Sequence, residues 1–208
     1  MTEHYYSKNP KIDSKPLHWN YQLRGDIFHF KTDRGVFSKN EVDFGSKLLI
    51  HTFQEPSVSG PFLDVGCGYG PIGLALAKTH PTRTVHMIDI NERAIRLAEE
   101  NAKNNQVKNV EIYQSDGFEK VSEFSFAAIV TNPPIRAGKK IVFQILENSV
   151  NYLCPGGELW VVVQKKQGAP SIKTKLTEIF GQVTVVKKDK GYYIFRIQKN
   201  GNRTKDKY

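Results

Sequence analysis

The stretch Phe62-Leu63-Asp64-Val65-Gly66-Cys67-Gly68-Tyr69-Gly70-Pro71-Ile72-Gly73 runs from an apolar strand-like segment through closely spaced glycines into a helix-like one. Glycine tolerates positive φ and carries no Cβ, so such a turn folds tightly and lets a ligand approach the backbone. A strand that ends in this way and feeds a helix is the first half of a βαβ unit, which restricts the chain to an α/β fold. The pattern downstream repeats it. Short β-branched runs at 61–65, 84–90, 110–114, 127–131 and 158–164 alternate with amphipathic runs at 71–78, 92–104, 139–153 and 171–180. In the second amphipathic run Asn91 is a good N-cap, Glu92 suits the first turn, and Ala94, Ile95, Ala98 and Ala102 share a face. Two further runs, 183–187 and 192–198, flank the polar segment 188–191 and predict a hairpin. The expected fold is α/β, a doubly wound, mostly parallel seven-stranded sheet with a C-terminal antiparallel hairpin.

Upstream, 23–31 alternates apolar and polar residues and Asp33-Arg34-Gly35 reads as a turn, so a small β element is expected there. A short helix over 43–53 and a loop over 55–60 should follow. Residues 1–60 are therefore expected to form an N-terminal β/α extension packed on a main domain at 61–199, with 200–208 as a basic tail.

The 208 residues suffice for one core without disulfides or metals. Hydrophobic residues at 39% and charged ones at 25% describe a globular chain rather than a disordered or membrane-spanning one. No apolar run approaches a bilayer span, and the first thirty residues carry charges where a signal peptide would be apolar. Cys67 and Cys154 make neither a disulfide framework nor a zinc cluster, and they suit a reducing cytoplasm. Residues 1–162 hold 18 basic and 18 acidic side chains, whereas 163–208 hold 12 and 3, so the whole net charge of +9 sits in the last segment. That asymmetry points to a polyanionic partner, nucleic acid first, or to a merely solubilising end.

Asp89 closes the second strand 21 residues after Gly68, where its carboxylate can accept from ribose hydroxyls. Gly68-x-Gly70-x-x-Gly73 also fits the dinucleotide fingerprint, so a nicotinamide cofactor competes. Asp64 separates the two. A carboxylate two residues before the first glycine repels a pyrophosphate and attracts a cation, and S-adenosylmethionine (AdoMet) carries an ammonium and a sulfonium but no phosphate. On Asp64, Gly66, Gly68 and Gly70 the chain resembles the class I AdoMet-dependent methyltransferases, over about 61–198. The resemblance implies a Rossmann-like fold and AdoMet as cofactor. Asp64, Gly66, Gly68 and Gly70 would then meet its methionine end, Asp89 its ribose and Asp116 its adenine, with Cys67, Ile90 and Gly117 also against the cofactor.

Thr131-Asn132-Pro133-Pro134-Ile135-Arg136-Ala137-Gly138-Lys139 follows the fourth strand. Two consecutive prolines make a stiff elbow without amide donors, so the local carbonyls are expected to point outward, unpaired. An exocyclic amine supplies the missing donors, one N–H to the Asn132 side-chain oxygen and one to the Pro133 carbonyl. An arylamine is a poor nucleophile because its lone pair is delocalised. Two acceptors aimed at its hydrogens draw the nitrogen toward tetrahedral character and align that lone pair with a methyl donor, so catalysis is positioning plus electrostatic stabilisation. No strong general base is needed, since the methylated cation loses its proton readily.

Asn-Pro-Pro followed by an aromatic is typical of adenine-N6, glutamine-N5 and many guanine-N2 methyltransferases, and Ile135 departs from it. Together with Gly35-Val36-Phe37-Ser38 and Asp43-x-Gly45-Ser46, the motif resembles the small-domain methyltransferases, and within them the ribosomal small-subunit RNA guanine-N2 methyltransferase C family in its single-domain branch. The resemblance implies methyl transfer to the N2 amine of a guanine in 16S ribosomal RNA, naked or in the small subunit. Asn132, Pro133 and Pro134 would be catalytic, with Asn132, Phe37 and Ser38 also against the cofactor. Ile135, Arg136, Lys139, Lys165 and Lys166 would meet the substrate, the basic ones, with Lys140, at phosphates around the mouth. Adenine-N6 or protein glutamine-N5 methylation, and a non-catalytic RNA-binding or assembly role, are the alternatives. Tyr192 and Tyr193 read as alternating sheet residues. The six histidines, His4, His18, His29, His51, His80 and His86, show no metal-ligand spacing, and no metal or membrane partner is expected.

Overall fold

The structure is a computed structural model that describes residues 12–123 and 125–201; His4 and positions 202–208 of the expected tail lie outside them. Two strands come first, β1 (Leu17–Leu23) and β2 (Asp26–Thr32), then α1 (Phe44–Thr52). The main run continues with β3 (Phe62–Val65), α2 (Pro71–Thr79), β4 (Val85–Asp89), α3 (Glu92–Asn104), β5 (Val110–Gln114) and β6 (Phe126–Thr131). It ends with α4 (Lys139–Tyr152), β7 (Leu153–Gln164), α5 (Ala169–Phe180), β8 (Thr184–Asp189) and β9 (Tyr192–Gln198).

Seven strands form one sheet in the order β5-β4-β3-β6-β7-β9-β8. The first five are parallel, and β9 runs antiparallel to both its neighbours. The two central strands, β3 and β6, are buried along their whole length, as their mostly apolar runs demand, and carry Asp64 and Thr131 into the interior with them. Leu48, Leu49, Ile72, Leu74, Ala94 and Ala98 of α1, α2 and α3 pack on one face with Phe62, Val130 and Trp160. Val142, Leu146, Ile172 and Leu176 of α4 and α5 pack on the other with Leu63, Ile129 and Val161. Strand order reverses at β3, since β4 and β5 add on one side and β6 and β7 on the other. The connections after β3 and β6 therefore leave by opposite faces, and a crevice opens at their carboxyl ends.

The C-terminal hairpin closes through a tighter turn than 188–191. Asp189 faces Tyr192, and Lys190 and Gly191 both take positive φ, at 43° and 79°. The N-terminal β element differs more from expectation. The stretch 23–31 is not one strand: Leu23 faces Asp26 across Arg24 and Gly25, whose φ values of 50° and 94° make a two-residue hairpin turn. The first strand is β1, with Leu17, Trp19, Tyr21 and Leu23 alternating inward; Asp33-Arg34-Gly35 turns the chain only after β2.

This hairpin is fastened to α3 by two asparagines one helical turn apart. Asn101 Oδ1 accepts from Lys31 N at 2.7 Å, and its amide donates to Lys31 O and to Tyr69 O, both at 2.9 Å. Asn105 repeats the pattern on His29 N and O, at 2.8 and 2.9 Å. The open edge of β2 thus finds its partners on side chains instead of a third strand. Asn101→Ala strips three hydrogen bonds at once, and a loss of about 2–3 kcal/mol in urea unfolding is expected. A change below about 0.5 kcal/mol would show that this clasp does not hold the hairpin.

Candidate active site

The crevice is a cavity of about 1660 Å³ at the carboxyl ends of the parallel strands. That exceeds the roughly 300–1,000 Å³ of a single small-molecule pocket and leaves room for two ligands side by side. Its floor is the glycine turn. Gly66 and Gly68 stand at φ 79° and 57° with nothing near the position a Cβ would take, so they are glycines for their backbone conformation. Gly73 is a packing glycine instead, since a Cβ there would come within 2.6 Å of Met87. The amides of Gly66 and Cys67 donate to Ile88 O, which ties the turn to β4. Cys67 also lines the cavity, but burial pushes its thiol well up, away from a reactive thiolate.

Asp64 lies beneath this floor rather than in the cavity wall. It is fully buried; one carboxylate oxygen accepts from Gly73 N at 2.8 Å, and the other, Oδ1, has no hydrogen-bond partner. Burial, with Asp89 nearby, pushes its carboxyl up to about 7. The bond to Gly73 bears on the dinucleotide alternative, because a pyrophosphate would need amides at the start of α2. Pro71 has no amide and that of Gly73 is held by a carboxylate, so two of the first amides of α2 are withheld from a pyrophosphate.

Asp89 stands in the wall. Its two oxygens accept from Gly68 N and Asn91 N, both at 2.9 Å, and burial raises its carboxyl. The amide of Ile90 also donates to this carboxylate, which keeps capacity for one further donor. A third desolvated carboxylate, Asp43, caps α1 through Gly45 N and Ser46 N at 3.0 and 3.2 Å, and burial raises it too. Among the described residues none of the three has a Lys or Arg nitrogen within ion-pair distance. A cavity lined by Asp43 and Asp89 over the buried Asp64, none of them ion-paired, favours a cationic ligand.

Asn132 follows β6 directly. Its backbone is steadied by the Thr131 hydroxyl, which donates to Val65 O at 2.8 Å, and its amide nitrogen lies 3.2 Å from Asp43 Oδ1 and 3.0 Å from Ser46 Oγ. The proline carbonyls are not unpaired as expected. Pro133 O accepts from Ile135 N at 2.8 Å and Pro134 O from Ala137 N at 2.9 Å, because the chain folds back at once into a 3-10 turn over Ile135–Ala137. Pro134, at φ −74° and ψ 80°, forms an inverse γ-turn, which leaves one lone pair on Pro133 O for another donor.

The structure brings most of the expected site residues to one cavity: Phe37, Ser38, Gly66, Cys67, Gly68, Asp89, Ile90, Asp116, Gly117, Asn132, Pro133, Pro134, Ile135 and Arg136. It leaves out Asp64 and Gly70, which lie below, and Lys139, Lys165 and Lys166, which are exposed at the same edge of the sheet but outside the wall. Phe37 is 41% exposed, so it is not core. Sequence reasoning passed over Asp43 and Ser46 as site residues, although Asp-x-Gly-Ser ahead of a helix is an N-cap signal. It also took Tyr192 for a plain sheet residue. Tyr192 does sit in β9, but at the strand's open end, where it lines the cavity and packs on Phe44 at 5.5 Å between ring centres. Among the described residues no group of three or more His, Cys, Asp or Glu side chains could hold a metal, and no helix is long and apolar enough to cross a membrane.

Sheet order, glycine floor and the Asn-Pro-Pro elbow define a Rossmann-like methyltransferase. More narrowly, the chain belongs to the methyltransferase small domain family, whose profile matches residues 27–196. It is 58% identical over 200 residues to the protein YbxB of Bacillus subtilis, covering 96% of this chain and all of that one. It is 35% identical over 169 residues to ribosomal RNA small subunit methyltransferase C of Vibrio cholerae, covering 79% of this chain and 48% of the relative. Among solved structures, a T. thermophilus 16S rRNA N2 methyltransferase in complex with AdoMet and guanosine superposes with a TM-score of 0.80 at 27% identity, over 92% of this chain and 52% of that one. The chain thus spans about half the length of those rRNA methyltransferases.

The buried carboxylate of Asp64 makes a pH test possible. Its folded value near 7 lies above the ordinary 3.8, so the folded state holds the proton more tightly than the unfolded one. Charging it costs stability as pH rises from about 4 to about 7 and stays costly above that. Asp64→Asn keeps an acceptor for Gly73 without the charge. In ligand-free protein its melting temperature should exceed the wild-type value by more at pH 8 than at pH 5; an equal gap at both would show that Asp64 is not a buried charge.

Proposed function

We propose that the chain transfers the methyl group of AdoMet to the exocyclic N2 amine of a guanine in 16S ribosomal RNA, a reaction of the bacterial cytoplasm. The observation that carries this reading is the juxtaposition of Asn132 and Pro133 with a cavity that has Asp89 in its wall and the buried Asp64 beneath its glycine floor, neither of them ion-paired. The guanine assignment leans on the superposition with an rRNA methyltransferase in complex with AdoMet and guanosine.

The residues fit the cofactor. The orphaned oxygen of Asp64 and the desolvated Asp89 favour a cation, and Asp89 has acceptor capacity left for a ribose hydroxyl. Asp116, exposed on the wall, would take the adenine amine, and the turn at Gly66 and Gly68 would take the methionine end. When bound, AdoMet supplies an electrophilic methyl group on a sulfonium. Asn132 Oδ1 and the remaining lone pair of Pro133 O accept the two hydrogens of the target amine, hold it in place and stabilise the positive charge that develops on nitrogen. Ile135 offers no ring to the base, whereas Tyr192 and Phe37 stand on the same wall. Lys165 and Lys166, with Arg136 and Lys139, would hold phosphates while the pocket takes the base.

Incubation with AdoMet and 16S ribosomal RNA or small subunits lacking the mark, followed by digestion and mass spectrometry, should release N2-methylguanosine. N6-methyladenosine would overturn the base assignment and leave the amine chemistry; methylated glutamine on a protein would remove RNA as substrate; no transfer to any of these would return the chain to a binding role. A second expectation concerns the basic rim. Neutralising Lys165 and Lys166 together should flatten the log–log salt slope of RNA binding by about 1.4, at roughly 0.7 per phosphate contact on single strands. An unchanged slope would assign these lysines to solubility.

A further inference from the structure

We propose that Asp43 is a positioning residue for methyl transfer, holding the Asn132 side chain with its oxygen toward the target amine. The inference rests on the amine-methylating reading of the site and names a residue outside the Asn-Pro-Pro motif. An asparagine amide has two ends of nearly equal size, and only the oxygen end can accept a hydrogen from an amine. Nothing in the Asn-Pro-Pro elbow itself chooses between them. The choice is made by α1. The end of Asn132 that faces α1 lies 3.2 and 3.4 Å from the two oxygens of Asp43 and 3.0 Å from Ser46 Oγ.

A carboxylate is an acceptor, so the group opposite it must be the NH₂, and Oδ1 is turned the other way. Ser46 completes the lock. Its hydroxyl donates to Asp43 and so presents a lone pair to Asn132. Asp43 is itself immobilised by the amides of Gly45 and Ser46 at the start of α1. The helix start is thus linked through one carboxylate to the acceptor of the reaction, 89 residues away in sequence.

Asp43→Ser tests this. Serine caps a helix about as well as aspartate but is too short to reach Asn132. Asp43→Asn keeps one oxygen at the cap and places an NH₂ near that of Asn132, so it should fall between. With AdoMet held at saturation, the expected result for Asp43→Ser is unchanged KM for RNA and kcat lower by about tenfold to a hundredfold, with Asp43→Asn intermediate. In an Asn132→Ala background the same substitution should change kcat by less than threefold, since a positioning residue has nothing left to position. Equal losses in both backgrounds, or kcat within threefold of wild type in Asp43→Ser, would overturn the proposal.

If the enzyme methylates an adenine or a glutamine instead, the same series on that amine decides the matter, because the acceptor geometry does not depend on the base. A readout without substrate separates the two ideas further. The Asn132 side-chain NH₂, assigned by its absence from Asn132→Ala spectra, should exchange with water faster in Asp43→Ser than in wild type. Unchanged exchange rejects the lock, whatever the chain proves to methylate.

Discussion

The site exists because β3 and β6 are neighbours whose following connections leave by opposite faces of the sheet. Two parallel strands side by side must each find a crossover, and when those crossovers part company the carboxyl ends of the strands are left uncovered. The glycine turn after β3 and the Asn-Pro-Pro elbow after β6 are the two walls of that gap. Both are built to leave backbone or side-chain acceptors facing a ligand. The rest of the chain braces them: β4 receives the amides of Gly66 and Cys67, β3 receives the hydroxyl of Thr131, and α1 reaches Asn132 through Asp43.

Electrostatics then selects what enters. Asp64, Asp89 and Asp43 are desolvated and held by backbone amides rather than by cations, so burial makes each of them costly to charge. Such charges are unfavourable in the empty protein and favourable once a cation lies over them. The exposed lysines and Arg136 lie on the outer edge of the same opening, where water screens them and a polyanion can reach them. A negative floor within a basic rim suits a small cationic cofactor beneath a phosphate-bearing substrate.

Much of this was legible in the order of residues. The βα alternation, the acids at Asp64 and Asp89 and the Asn-Pro-Pro elbow are local signals, each set by neighbours within a few positions. What was misread depended on distant partners. The first strand escaped notice because Trp19 and Tyr21 reveal an inward face only once Phe30 and Tyr69 pack against Trp19. The proline carbonyls look orphaned in sequence because prolines lack amides, yet Ile135 and Ala137 supply donors by folding back. Asp43 reads as a helix cap and nothing more, since its second duty lies just past the end of β6, 89 residues away.

By itself the sequence determined the fold class and the chemical type of the site. Turn glycines, strand periodicity and a carboxylate beside the turn act over short distances, and physics leaves them few alternatives. Only the tertiary structure decided which groups face the ligand. It sank Asp64 beneath the floor, set Lys165 and Lys166 outside the wall, brought Tyr192 into it and turned the Asn132 amide by a contact from α1. Those outcomes follow from the strand order β5-β4-β3-β6-β7-β9-β8, which makes neighbours of residues far apart in the chain. Burial and hydrogen-bond direction are properties of such neighbourhoods, and no short stretch of sequence contains them.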